Sequence, residues 1–193
     1  MVNLRELNTE DFEIIRVSDV IQEQIEDFKA KEDGYGLEVY FKEKALVEEE
    51  RNETRTYVVI DSTSKQIVSY FSLRTGLITV SRGFMRGFNT RTGIELSNFA
   101  VNDNYRHNKQ IPKIGSFVFW RFILPLVREI SNYVGAEFLY IFALPHDRLM
   151  EHYKTLGFQK ASGKVERFVY SHVKPAYDKS CRFMLQKIDS SIR

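Results

Sequence analysis

IELSNFAVNDNYRHNKQIPKIGSFVFWRFILPLVREISNYVGAEFLYIFALPHDRLMEHYKTLGF, Ile94 to Phe158, passes in order through an alternating strand, a polar loop, a long apolar helix, a buried strand and a short helix. In Gly93 to Val101, the side chains of Ile94, Leu96, Asn98 and Ala100 alternate with those of Glu95, Ser97, Phe99 and Val101, which suits a strand with neither face wholly solvated. Asn102 to Lys113 is too polar to continue it. From Ile114 the apolar residues Phe117, Trp120, Leu124, Val127, Ile130 and Tyr133 recur at three to four residues, so the spacing predicts a helix. The loop therefore feeds a helix N-terminus, whose unpaired N–H groups and partial positive charge favour a pyrophosphate. Ala136 to Leu144, AEFLYIFAL, is apolar or aromatic at nearly every position and reads as a buried strand. Pro145 and Asp147 open the next helix and Gly157 closes it. Leu149, Tyr153 and Leu156 share one face of that helix, and Phe158 begins an extended segment.

Upstream of this stretch, Val2 to Leu7 reads as a short first strand. Asn8 or Thr9 then caps a helix carrying Phe12, Val17, Ile21, Ile25 and Phe28 near one face. After Gly34 and Gly36, Glu38 to Glu50 reads as a second helix whose acidic run is a solvated face. Arg55 to Asp61 and Gln66 to Gly76 are β-rich and form a hairpin about the polar turn Ser62 to Lys65. Leu77 to Thr92, with Arg82, Arg86 and Arg91, reads as a solvated loop. Downstream, Phe168, Tyr170, His172 and Tyr177 precede a closing strand over Arg182 to Ile188. No internal repeat, low-complexity tract or interdomain linker interrupts the chain.

The 193 residues fit one domain large enough to bury a substantial core. A net charge of +2, from 28 basic and 26 acidic residues, creates no strong global field, so a nucleic acid is an unlikely partner unless a local basic patch exists. Cys181 alone can form neither an intramolecular disulfide nor a cysteine zinc cluster, and it reads as a small buried hydrophobe. The four histidines, at 107, 146, 152 and 172, show no metal-ligand spacing. The apolar run Phe117 to Val127 is shorter than the ~20 residues that span a bilayer and contains Arg121. With no signal peptide visible after Met1, the chain reads as a cytoplasmic protein without a membrane partner.

The strand, loop, helix, strand, helix order resembles the cofactor half of the GNAT superfamily N-acetyltransferases, whose late helix typically reads F-Y-x-x-x-G-F. Here His152, Tyr153, Lys154, Thr155, Leu156, Gly157 and Phe158 carry that match. The family's phosphate loop, R/Q-x-x-G-x-G/A, is similar to Arg106 followed, after extra residues, by Lys113, Ile114, Gly115 and Ser116. Lys113 stands where the first glycine would be. The resemblance implies a single α/β domain over residues 1–193. Its sheet would be mixed and mostly antiparallel, with helices on both faces and a splayed strand pair formed by Glu95 to Val101 and Ala136 to Leu144.

The resemblance also implies acetyl-CoA as co-substrate and acetyl transfer to an amine of a small molecule or protein by direct attack. Phe99, Ala100 and Val101 would pair through their backbones with pantetheine and polarise the thioester carbonyl. Arg106, Lys113, Ile114, Gly115 and Ser116 would hold the phosphates. Tyr153 matches the tyrosine that protonates the leaving sulfur, and Glu95 the glutamate that acts in some members as general base. A homodimer is the oligomer left open. Two other readings stand beside this one: a toxin-type acetyltransferase of aminoacyl-tRNA, and a non-catalytic acyl-CoA-binding module suggested by the irregular loop.

Overall fold

The computed structural model describes residues 7–81, 87–173 and 180–189. Among the described residues seven strands form a mixed sheet in the order β1-β2-β3-β4-β5-β7-β6. These are β1 (Phe12–Arg16), β2 (Arg55–Asp61), β3 (Ile67–Ser81), β4 (Phe88–Val101), β5 (Phe138–Ala143), β6 (Gln159–Lys160) and β7 (Arg182–Lys187). The helices are α1 (Gln22–Glu26), α2 (Tyr35–Glu43), α3 (Ala45–Glu50), α4 (Asp103–Lys109), α5 (Ile114–Val118), α6 (Leu124–Val134), α7 (Asp147–Thr155) and α8 (Gly163–Phe168). The β1–β2, β2–β3, β5–β7 and β6–β7 ladders are antiparallel. The β4–β5 ladder is parallel and pairs only Gly93↔Phe138, Ile94↔Leu139 and Glu95↔Tyr140. It ends there although β4 runs on to Val101, the early end that a splayed pair requires.

The chain divides into two compact units, one holding residues up to Arg74 with Ser97–Pro125, the other Thr75–Leu96 with residues from Leu126 on. The first unit is organised by the hairpin expected around residues 62–65. Asp61 Oδ1 accepts the Thr63 and Ser64 amides at 3.0 and 2.7 Å, and Lys65 takes a left-handed φ of 55° to close the turn. Its core stacks Phe41 on Tyr70 at 4.4 Å with Phe28 edge-on to both.

Several expectations for this unit are corrected. The proposed first strand at residues 2–7 falls almost wholly outside the described residues. The expected helix from Phe12 to Phe28 is instead β1, a 3-10 turn and the five-residue α1. The β-branched pair Ile14 and Ile15 is stiff and finds a ladder partner in Val58 and Val59 of β2, a contact no local periodicity reveals. Residues 38–50 are not one helix but two, broken at Lys44, and Gly36 lies inside α2. Nor is their acidic run wholly solvated. Glu38 is buried against Lys29 and Lys42, and buried Glu49 pairs with Arg16 and accepts the Thr56 amide at 2.8 Å. Residues 102–113 are not an open loop, since α4 occupies most of them.

The helix expected from Ile114 is present as α5, a π turn at Phe119–Ile123 and α6. The wider π turn rotates the apolar stripe, burying Phe119, Phe122 and Ile123 while leaving Trp120 and Tyr133 46% and 81% exposed.

The second unit is built on the β5–β7 ladder, with Ile78, Tyr140, Val165, Val169 and Phe183 in its core. Tyr140 lies across Gly76 and Gly93. A Cβ at Gly93 would sit 3.0 Å from its ring, and one at Gly76 would overlap its hydroxyl. The loop expected at residues 77–92 is largely strand: β3 continues to Ser81, β4 begins at Phe88, and Arg82 and Arg86 lie outside the described residues. Residues 163–173, assigned no helix from sequence, form α8 and a π turn, whereas Tyr177 lies outside the described residues. Among the described residues no helix is long and apolar enough to cross a membrane.

Candidate active site

In the first unit, the end of β4 meets the start of α5. Phe99 and Val101 are half-buried and Ala100 is buried. A Cβ on Gly115 would lie 3.4 Å from Val101 Cγ2 and 3.8 Å from Phe99 Cζ, so this turn of α5 rests on those two side chains. No side chain caps α5, which leaves the Ile114, Gly115 and Ser116 amides at the helix start without an intrahelical acceptor. Lys113, its N-cap, is exposed and holds φ 56°, the left-handed conformation that glycine adopts freely and that strains other residues. The backbone therefore holds a glycine geometry at a position where the sequence has lysine.

Gln110, which ends α4, is also left-handed at φ 50°. Counting back from Gly115, Gln110-Ile111-Pro112-Lys113-Ile114-Gly115 also keeps the Q-x-x-G-x-G spacing with one substitution, four residues after Arg106. Arg106 stands on α4, is half-buried and pairs with Asp103, which also lies 3.2 Å from His107. With Lys31, Glu32, Asp33 and Asp103 it lines a shallow open depression.

In the second unit, Glu95 is 1% exposed and lies opposite Tyr140 in the last pair of the β4–β5 ladder. Tyr153 is two residues from the end of α7, and its neighbourhood explains the Y-x-x-x-G-F pattern physically. Phe158 N–H donates to Tyr153 O at 3.1 Å and Gly157 N–H to Lys154 O at 3.0 Å, with Gly157 at φ 96°. This is a Schellman cap, and the Tyr153 and Phe158 rings pack edge to face at 5.7 Å as its apolar clamp. The tyrosine is thus held by the glycine and phenylalanine that follow it. Desolvation by burial pushes its phenol up to about 12, so it stays protonated at neutral pH. The hydroxyl makes no hydrogen bond to another described residue. Burial lowers the adjacent His152, which favours its neutral form.

Sequence reading also missed the exposed face of α8. Lys164 Nζ lies 5.3 Å over the Phe88 ring, Phe88 packs on Phe168 at 4.3 Å, and Phe168 stacks on His172 at 4.5 Å. Glu166, the acidic residue of this helix, is turned inward to accept the Phe183 amide at 3.1 Å. Lys164 and Arg167 are therefore left as the charges on the outer surface of α8. The N-cap Ser162 and the Val165/Val169 spacing were the signals for this helix. Among the described residues no group of His, Cys, Asp and Glu is arranged to hold a metal.

No protein-family model matches the sequence, and no curated protein matches it. Solved structures are similar in fold. A tyrosine-to-phenylalanine mutant of the AtaT toxin superposes with a TM-score of 0.69 at 15% identity, covering 96% of each chain. AtaTR bound with acetyl-CoA gives 0.67 at 15% identity over 93% of this chain and 95% of that one. AtaT complexed with acetyl-methionyl-tRNA gives 0.64 at 16% identity over 90% of this chain and 94% of that one. The chain has the fold these proteins share, a mixed α/β fold with a mostly antiparallel sheet.

Proposed function

We propose that residues 1–193 act as an acetyl-CoA-dependent N-acetyltransferase working in the cytoplasm. The observation that carries this is the phosphate-loop backbone before α5, kept in glycine geometry at Lys113 on a GNAT fold. The backbone groups of Phe99, Ala100 and Val101 pair with the pantetheine arm and polarise the thioester carbonyl. The amides of Ile114, Gly115 and Ser116 receive the pyrophosphate, and Gln110, Arg106, Lys109 and Lys113 surround it with polar and positive groups. The amine nitrogen bonds to the acetyl carbon and the carbon–sulfur bond breaks. The Tyr153 hydroxyl donates its proton to the departing thiolate, and Glu95, through a water because it is buried, accepts the proton lost by the ammonium.

The acceptor has two readings, a small-molecule or protein amine and the amine of an aminoacyl-tRNA. The outer face of α8 favours the second. Lys164, Arg167 and the Phe88–Phe168–His172 stack combine cations with aromatic rings, the composition that binds single-stranded nucleic acid, and they supply the local patch that a net charge of +2 hides. That AtaT has been solved with acetyl-methionyl-tRNA supports the same reading and weakens the argument from net charge against nucleic acid.

The test is calorimetric titration with acetyl-CoA, followed by acceptor screening that detects free CoA thiol with amines and with charged tRNA. Binding plus turnover with one acceptor class is expected. Absence of binding at millimolar acetyl-CoA rejects the proposal, and binding without turnover on any acceptor leaves an acyl-CoA-binding module.

A further inference from the structure

We propose that Asn102 is a positioning residue for the acetyl-CoA strand, and that it acts through a buried clasp tying the end of β4 to α2. This rests on the acetyltransferase reading. Asn102 directly follows Val101 and is 6% exposed. Its backbone N–H donates to Val68 O at 2.9 Å and its Nδ2 to Ile67 O at 2.8 Å, which fixes the end of β4 against the start of β3. Its Oδ1 accepts the Asn104 amide at 3.1 Å, capping α4, and the Lys29 amide at 3.4 Å. The Asp103 amide returns a bond to Lys29 O at 2.7 Å.

The 29–30 segment is held from its other side by Glu38 of α2. Glu38 accepts the Ala30 amide and the Lys29 and Lys42 ammonium groups, each at 3.0 Å. One side chain therefore serves three segments at the point where β4 stops displaying its backbone and α4 begins. An amide is the side chain that can do this, because it offers a donor to Ile67 and an acceptor to two N–H groups at once. Serine keeps an acceptor for the cap but does not reach Ile67, and aspartate would set a carboxylate against the Ile67 carbonyl.

If the clasp sets the direction of residues 99–101, loosening it weakens the co-substrate without touching the acceptor or the chemistry. Asn102→Ala is expected to raise the acetyl-CoA Kd and KM roughly tenfold, with kcat and the acceptor KM nearly unchanged. Asn102→Ser should show a smaller rise in the same constants. Amide exchange at Lys29 and Ala30 should accelerate in Asn102→Ala, and at Ala30 in Glu38→Gln. A wild-type Kd in the serine and alanine variants, with the parent binding normally, overturns the proposal. So does a loss of melting temperature with no change in Kd. Should the alanine variant fail to fold, the serine variant decides by the same criterion. If the parent binds no acetyl-CoA, the functional reading fails, and the exchange at Lys29 and Ala30 separately decides whether the clasp exists.

Discussion

Tyr153 shows how one residue is made ready by its neighbours. Its ring is clamped by Phe158, its carbonyl closes the Schellman cap, and burial keeps its proton on up to about 12. Tyr153→Phe is expected to lower kcat on the order of a hundredfold with a smaller effect on KM, measured by steady-state CoA release. Because a free phenol ionises near pH 10, the unfolded chain loses this proton before the folded one does. The residue's contribution to stability is complete below about pH 10 and is lost as pH rises towards 12, and thermal melts across that range should show a drop that the phenylalanine variant lacks. Lys113 gives an opposite prediction. Its φ of 56° strains a lysine and suits a glycine, so Lys113→Gly should stabilise the fold by about 1 kcal/mol in chemical denaturation. The helix end that holds Tyr153 was legible in the sequence from the glycine and phenylalanine after it. Gln110 stands four residues after Arg106, and its left-handed backbone is a feature of the tertiary structure rather than of the sequence.

Elements were legible where their signals are local. The β2–β3 hairpin, the helix after Ile114, β5, α7 and β7 follow the spacing of apolar residues and the chemistry of turns and caps. Elements set by remote partners were not: β1 exists because β2 offers it a ladder, and the π turn in the 114–134 helix was invisible to a fixed period of 3.6 residues. The contact of β3, β4 and β5 around Tyr140 belongs to this scale. Gly76→Ala should destabilise the fold by about 1–3 kcal/mol, because the new methyl group overlaps the Tyr140 hydroxyl. Adding Tyr140→Phe should recover part of that loss, and a double-mutant cycle by urea unfolding would show a coupling absent from a pair of distant sites.

For the whole molecule, the question that remains testable is the acceptor. If the aminoacyl-tRNA reading holds, tRNA binding should weaken steeply with salt. Lys164→Ala and Arg167→Ala should each flatten that dependence, and His172→Ala should lower affinity with little change in slope. A salt-independent affinity, or none, would return the acceptor to the small-molecule and protein amines. The sequence alone was sufficient for the fold class and for the strands and helices from residue 94 to 158 other than α4, because periodicity, caps and turn residues act within a few positions. Only the tertiary structure revealed that Phe12–Arg16 is a strand, that Glu38 and Glu49 are buried, that Asn102 joins three segments and that α8 carries an outward cation–aromatic face. All but the Glu38 cluster, whose partners lie within nine residues, depend on groups far apart in the chain: a strand needs a ladder, Glu49 needs Arg16, and a stacked surface needs rings from separate elements. No local pattern encodes such partners.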